Sequence, residues 1–221
     1  MSFDWLAPHY RWMEAVLAGR KMQRCRVAWL DEVRECRNVL VVGEGPGRFL
    51  EVAVAQMPDA SFVCVDASSA MLERARTAVQ GNSRVSFLHA SLPEWEPPAA
   101  AFDLIVTHFF LDCFPEPVLS QVVARLAAAA TPDTRWLLAD FQVPERGLAR
   151  LRARVLLALA YRFFRIATAL PATRLVAPDE AIQRHGFSLR RRMTANRGLL
   201  HSDPWERALP LLPGPHSALD K

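Results

Sequence analysis

Two groups of residues have types and spacings suited to chemistry. His108 and Asp112 stand four positions apart. If the chain turned as a helix there, both side chains would lie on one side of it. A carboxylate that orients an imidazole is an acid/base arrangement. The second group is the stretch Val39-Leu40-Val41-Val42-Gly43-Glu44-Gly45-Pro46-Gly47-Arg48-Phe49-Leu50. Its alternating glycines open backbone angles closed to other residues and leave room for a ligand beside the main chain. Amides at the helix start that follows would face that ligand. Asp66, ending the next apolar run, can accept hydrogen bonds from both hydroxyls of a ribose.

These residues need a scaffold, and the hydrophobic pattern supplies one. Val39–Val42 reads as a buried strand, and Ser61–Val65, Val85–Leu88, Phe102–Thr107 and Arg135–Ala139 read as four more. Helical stretches alternate with them: Phe49–Met57, a segment from Ser68 or Ser69 to Val79, and Pro115–Ala130. Strand and helix in alternation predict a doubly wound α/β fold with a mostly parallel sheet. Phe187–Thr194 and Leu199–Ser202 flank Ala195-Asn196-Arg197-Gly198 and read as a closing antiparallel hairpin. Right-handed crossovers would bring Gly43–Gly47, Asp66, Ser91, Thr107 and Asp140 to one rim, where such sheets bind ligands.

Two segments frame this domain. Residues 1–36 read as a helical cap, crowded with Phe3, Trp5, Leu6, Tyr10, Trp12, Met13 and Leu17. Residues 146–170 read as a long helix. At 100° per residue Arg146, Arg150, Arg154, Arg162 and Arg165 share one arc, while Leu151, Val155, Leu159 and Phe163 lie elsewhere. The plainer reading is a solvated face on a helix packed over the sheet. The sharper one is a lid that touches an anionic membrane surface peripherally. Residues 206–221 read as a tail.

Composition narrows the function classes. The 221 residues suit one well-buried domain, with 51% hydrophobic and 23% charged residues. A net charge of +4 is too mild to imply nucleic acid by itself. Cys25, Cys36, Cys64 and Cys113 lack metal-site spacing, and no acidic cluster has cation-ligand spacing, so no metal is expected. No signal peptide or bilayer-spanning run is evident. The expectation is a cytoplasmic protein with reduced thiols, its membrane contact confined to the lid on the sharper reading.

The glycine turn then discriminates between cofactors. A dinucleotide site wants G-x-G-x-x-G. Counted from Gly43 the third position is Arg48, and counted from Gly45 it is Leu50. The pattern present is G-x-G-x-G. Here the chain resembles the class I S-adenosylmethionine-dependent methyltransferases. Val39–Phe49 matches their first motif and Val63-Cys64-Val65-Asp66-Ala67-Ser68-Ser69-Ala70-Met71-Leu72 their second. Val85–Leu92 looks like the third and Phe102–His108 the fourth, and the likeness covers roughly residues 3–205. Phe3–Tyr10 looks like the opening segment of the ubiquinone/menaquinone-biosynthesis type and its small-molecule relatives.

The resemblance implies a Rossmann-like, seven-stranded sheet and a methyltransferase domain over 37–205. It implies S-adenosylmethionine as cofactor. Gly43, Gly45 and Gly47 would approach the methionine moiety, and Asp66 would hold the ribose. Ala67 and Met71 would lie against the adenine, with Ser91 and Leu92 at its edge. Thr107 would lie near the methionine part and Tyr10 would close over it. The family's acidic residue two before the first glycine is here Val41, and Glu44 inside the turn stands to replace it. Ser91 stands where the family usually carries aspartate.

For the chemistry, His108 is the first candidate base and Asp112 the second, with Tyr10 at the site. The alternative is that Asp112 caps the following helix and His108 is a packed residue. Phe109, Phe110, Phe141, the N-terminal cap and the lid would wall an acceptor pocket. Their character points to a small apolar or aromatic acceptor, O- or C-methylated. Nucleic acid is not expected, because Thr107-His108-Phe109-Phe110 is not an N-P-P-Y-type base-holding motif. Three readings stay beside the leading one: a non-catalytic ligand-binding domain, an RNA methyltransferase and a dehydrogenase.

Overall fold

The computed structural model describes residues 19–168 and 174–207, with side chains described except over 163–168. Of the 1–36 cap, helix α1 (Gly19–Val27) and a 3₁₀ turn (Leu30–Val33) fall within the described residues. Tyr10, the other aromatic residues before position 19 and most of the tail lie outside them.

The sheet has eight strands: β1 (Asn38–Val42), β2 (Ser61–Asp66), β3 (Val85–His89), β4 (Phe102–His108), β5 (Ala130–Phe141), β6 (Phe187–Leu189), β7 (Met193–Ala195) and β8 (Leu200–Arg207). Their order is β3-β2-β1-β4-β5-β8-β6, with β7 also paired to β8. β1 to β5 are parallel to one another, and β8 runs antiparallel to β5, β6 and β7. The expected seven strands become eight because the strand opposite β8 breaks between Leu189 and Met193. There Arg192 turns its guanidinium onto Asp203. The hairpin turn is tight. Asn196 and Arg197 have φ of 52° and 58°, and Gly198 N–H donates to Ala195 O at 3.1 Å, the geometry of a type I′ turn.

The unbroken apolar runs are explained by burial on both faces. In β1, Leu40 and Val42 belong to one core with Val65, Ile105, Trp136 and Leu138, beneath helices α4 (Glu116–Ala128) and α6 (Asp179–Arg184). Val39 and Val41 belong to the other, with Phe62, Cys64, Leu104, Val106 and Leu137, beneath α2 (Leu50–Gln56) and α3 (Ser69–Ala78). Each fully buried side chain of this size stabilises the fold by roughly 1.5–3 kcal/mol.

Local signals start the helices. Ser68 caps α3, its hydroxyl accepting from Met71 N–H at 3.2 Å. Pro115 and Pro117 open α4, where missing amide hydrogens cost nothing. Arg84 closes the far end of α2 by donating to Val54 O, Met57 O and Ala60 O. The long helix α5 (Gly147–Thr168) lies across the carboxyl ends of the strands, burying Ala153, Leu157 and Tyr161 against Met22, Cys25 and Leu200. Among the described residues no helix is long and apolar enough to cross a membrane.

Candidate cofactor and acceptor site

The parallel register brings Val42, Asp66, His89 and His108 to one rim. Gly43 N–H extends the ladder to Val65 O at 2.9 Å before the turn departs. The three glycines of the turn all have positive φ, but for different reasons. A Cβ on Gly43 would lie 2.2 Å from the Phe110 ring. One on Gly47 would lie 2.9 Å from Ala75 Cα in α3. One on Gly45 would meet nothing within 4 Å among the described residues. Gly43 and Gly47 therefore let protein pack against the turn, and Gly45 faces open space.

Asp66 borders that space. Its carboxylate accepts from Gly45 N–H at 3.0 Å and Ser68 N–H at 2.9 Å, tying the turn to the end of β2. Burial raises its pKa above the ordinary carboxylate value, against the pull of those amides. Ala67 and Met71 follow at the start of α3. Ala67 O is bonded to His89 Nε2 at 3.0 Å, and Met71 is buried. Leu92 is buried, whereas Ser91 is exposed and donates to Glu94 at 3.0 Å. Thr107 is fully buried and accepts from the Trp136 indole at 2.8 Å, so its hydroxyl is engaged inside the sheet.

Glu44 is turned inward. Phe49 N–H and Leu50 N–H donate to its Oε1 at 2.7 and 3.2 Å, so it caps α2 from within the turn. Burial pushes its pKa up to about 7, opposed by Arg26 and by the two amides. Arg26 is itself buried, and its guanidinium lies 5.0 Å over the Phe109 ring. It also bears electrostatically on His108. Helix α1 holds it there: Gln23 donates to Arg48 O at 2.9 Å, and Ser202 Oγ donates to Cys25 O at 2.7 Å.

The expected His108–Asp112 pairing is not formed. The premise was a helix over 109–114, but Phe109 takes φ 54° and only Leu111–Cys113 coils, as a 3₁₀ turn. His108, the last residue of β4, packs edge-on to Phe49 at 5.0 Å, on the Arg26 side. Burial and Arg26 hold it well below its ordinary pKa, so the ring is neutral. Its Nδ1 is buried and has no hydrogen-bond partner among the described residues.

Asp112 joins a different group. Its N–H donates to Asp140 Oδ2 at 3.1 Å, and the two carboxyls lie within hydrogen-bonding reach of each other. Asp140 also accepts from Phe141 N–H at 2.8 Å. Tyr161, from α5, donates to Asp112 O at 3.1 Å, and Cys113 Sγ lies 3.6 Å from Asp112 Oδ1. Burial and the neighbouring Asp112 raise Asp140 well above the carboxylate range, and burial raises Asp112 too, against the pull of its hydrogen bonds to Asp140, Cys113 and Tyr161, so the pair holds a proton where a lone carboxyl would not. Tyr161 is raised as well and stays a phenol. The rings of Phe109 and Phe141, 5.4 Å apart, stand beside this group.

The sequence points to neither Arg26 nor Tyr161, and it gives Asp140 a place on the rim but no role. Asp140 had a signal, a carboxylate at a strand end on the rim. Arg26 and Tyr161 had none beyond their helices, because their partners are distant in the chain. His201 also finds a partner: its Nδ1 lies 2.7 Å from Asp203 Oδ2. Asp203 is clasped by Arg192, which reaches Asp179 at the start of α6 as well.

Residues 39–133 match the family model described as "Methyltransferase domain". This segment is a methyltransferase domain. Over 130 residues the chain is 29% identical to malonyl-[acyl-carrier protein] O-methyltransferase of Halalkalibacterium halodurans, covering 55% of this chain and 47% of that protein. It is 32% identical to trans-aconitate 2-methyltransferase of Rhodopseudomonas palustris over 95 residues, 43% of this chain and 35% of that one. The chain thus spans less than half the length of these curated relatives. Among solved structures it resembles mitomycin 7-O-methyltransferase MmcR, with a TM-score of 0.68 at 17% identity over 94% of this chain and 61% of that one. It also resembles Burkholderia thailandensis 1,6-didemethyltoxoflavin-N1-methyltransferase, with a TM-score of 0.64 at 18% identity over 91% and 84%. These likenesses extend the methyltransferase fold beyond residue 133, through β5 and the antiparallel strands.

Proposed function

We propose that the chain is an S-adenosylmethionine-dependent methyltransferase acting on a small, largely apolar or aromatic acceptor that carries a dissociable proton. The observation that carries the cofactor half is the open space over Gly45, bordered by the Asp66 carboxylate in a methyltransferase domain. A ribose diol fits Asp66, and the apolar faces of Met71 and Leu92 suit an adenine. The unpartnered Nδ1 of neutral His108 and the buried Arg26 lie on the same side of the sheet end, where a methionine moiety would follow the turn. When bound, the sulfonium supplies an electrophilic methyl group.

The remaining chemistry falls to this chain's own residues. Aromatic walls hold the acceptor in line and exclude water. As the new bond to the methyl carbon forms, the acceptor's proton passes to Asp112, and the sulfonium's bonding pair stays on sulfur. Charge balances: one cation and one carboxylate become a neutral thioether and a carboxylic acid. Asp112 takes this role in place of His108, because burial beside Arg26 opposes a protonated imidazole there. Tyr161 steadies Asp112 from the lid.

The same acidic pair bears on the acceptor's class. The two curated relatives are named for malonyl-[acyl-carrier protein] and trans-aconitate. A carboxylate acceptor would meet repulsion from the ionised Asp112, whereas a phenol, enol or ring N–H would be welcomed as a proton donor. Calorimetry with S-adenosylhomocysteine tests the cofactor half, with micromolar binding expected and lost in Asp66→Ala. Product mass spectrometry over phenols, hydroxyquinones, N-heterocycles and carboxylic acids tests the other half. Methylation of carboxylic acids alone would refute the acceptor class.

A further inference from the structure

Helix α5 buries one narrow strip and leaves its opposite side apolar. Ala153, Leu157 and Tyr161 face the core. At 100° per residue Leu148, Leu151, Val155 and Leu159 form an arc of about 80° diametrically opposite. Their exposures are 86%, 63%, 50% and 61%. The row runs about 16 Å along the helix axis. Leu88 and Val143 are the other exposed large hydrophobic residues among those described, and each is only about one-third exposed, at 36% and 37%. Among the described residues the exposed aliphatic surface is therefore concentrated on one helix.

Charge says what kind of surface covers it. The sequence of α5 holds Arg150, Arg152, Arg154, Arg162 and Arg165 and no acidic residue. Arg152 is turned back onto Asn196, donating to its main-chain and side-chain oxygens at 3.4 Å. Exposed Arg154 runs along one margin of the aliphatic row, and exposed Arg162 closes its C-terminal end. Long arginine stems can lie along apolar surface while their heads reach outward. An acidic protein partner would be matched by discrete, aromatic-anchored pockets. This row is smooth, aliphatic and parallel to the helix axis, the pattern of a helix lying in a membrane interface.

We propose that α5 docks the protein onto an anionic lipid surface, with Leu148, Leu151, Val155 and Leu159 entering the acyl boundary and Arg154 and Arg162 meeting lipid phosphates. The helix would lie in the plane of the interface. Tyr161, on its other side, touches Asp112, so the docked helix would also be a wall of the acceptor pocket. This last connection rests on the function proposed above, and the docking itself does not.

The test is co-sedimentation of the full chain with vesicles of phosphatidylcholine containing 30% phosphatidylglycerol (about a third of the lipid, enough for a strongly negative surface), against pure phosphatidylcholine. Strong partitioning onto the anionic vesicles is expected, weakened severalfold by raised salt. The double variant Leu151→Glu/Leu159→Glu should lose at least tenfold in partitioning, with circular dichroism and melting temperature unchanged. Arg154→Gln/Arg162→Gln should lose severalfold on anionic vesicles only. Absence of partitioning by the unaltered chain would overturn the proposal. So would vesicle binding unaffected by the double glutamate variant, or a dimer that this variant dissociates in the absence of any lipid binding.

Discussion

Tyr161 Oη donates to the carbonyl oxygen of Asp112 at 3.1 Å and lies 3.4 Å from its Oδ2, so the lid helix is bonded to the loop that follows β4. The two residues are 49 positions apart. One hydroxyl thus links the closure of the pocket to the group assigned the proton.

Tyr161→Phe should separate these roles. The buried phenol is lost and the ring's packing is kept, so stability should fall by about 1 kcal/mol. Without its donor, the Asp112 carboxylate holds a proton more readily, and the acid limb of the kcat–pH profile should move to higher pH. An unmoved limb with reduced stability would leave Tyr161 a packing residue.

Asp140 and Asp112 should respond differently. Asp112→Asn removes the base and should lower kcat by about 10²–10⁴-fold with cofactor affinity retained. Asp140→Ala removes the proton-bearing carboxyl whose hydrogen bond favours the Asp112 carboxylate. Asp112 should then hold its proton to higher pH, and the acid limb should move up. His108→Asn should leave the limb where it is, since that imidazole is held neutral by burial and by Arg26. A limb that vanishes in His108→Asn would return the base to His108.

Gly47 and Gly45 should fail differently. Alanine at Gly47 meets the α3 backbone at 2.9 Å, and its φ is 87°. Stability should drop by roughly 2–3 kcal/mol. Alanine at Gly45 meets no atom of the described residues within 4 Å. Its cost to stability should be only about 1–2 kcal/mol for the left-handed backbone. Its methyl group enters the space assigned to the cofactor, so S-adenosylhomocysteine affinity should fall at least tenfold. Thermal melts and calorimetry on both variants would show the contrast.

Glu44 sets a pH dependence of stability. Its folded pKa of about 7 lies above the ordinary 4.5, so the native state holds the proton more tightly than the unfolded chain. Stability should fall as pH rises from about 4.5 to about 7, by roughly 3 kcal/mol across that window. Glu44→Gln keeps an oxygen for the Phe49 and Leu50 amides and removes the titration. Urea melts at pH 5 and pH 7.5 should therefore differ by less in this variant than in the unaltered chain. An equal difference would refute the assignment.

The parallel core was legible because its signals are local. Val39–Val42 is apolar without interruption because both faces of β1 are covered. Ser68 and Pro117 announce their helices by chemistry within one turn. The glycine turn and Asp66 follow from strand order alone, since parallel strands deliver their carboxyl ends to one rim. The hairpin was also visible at Ala195–Gly198. The break between β6 and β7 was not, because it depends on Arg192 finding Asp203 and Asp179.

The sequence by itself determined the fold class, the glycine turn and the carboxylate at the end of β2, all set by periodicity and nearest neighbours. Tertiary structure alone decided which groups meet. It separated His108 from Asp112, because the left-handed Phe109 sends the chain away from a helix. It joined Asp112 to Asp140 across 28 positions and to Tyr161 across 49. It brought Arg26 beside Glu44 and gave each glycine of the turn a different neighbour. Such pairings depend on where whole elements pack, and on buried charges that must find partners once water is gone. Sequence spacing carries no record of either.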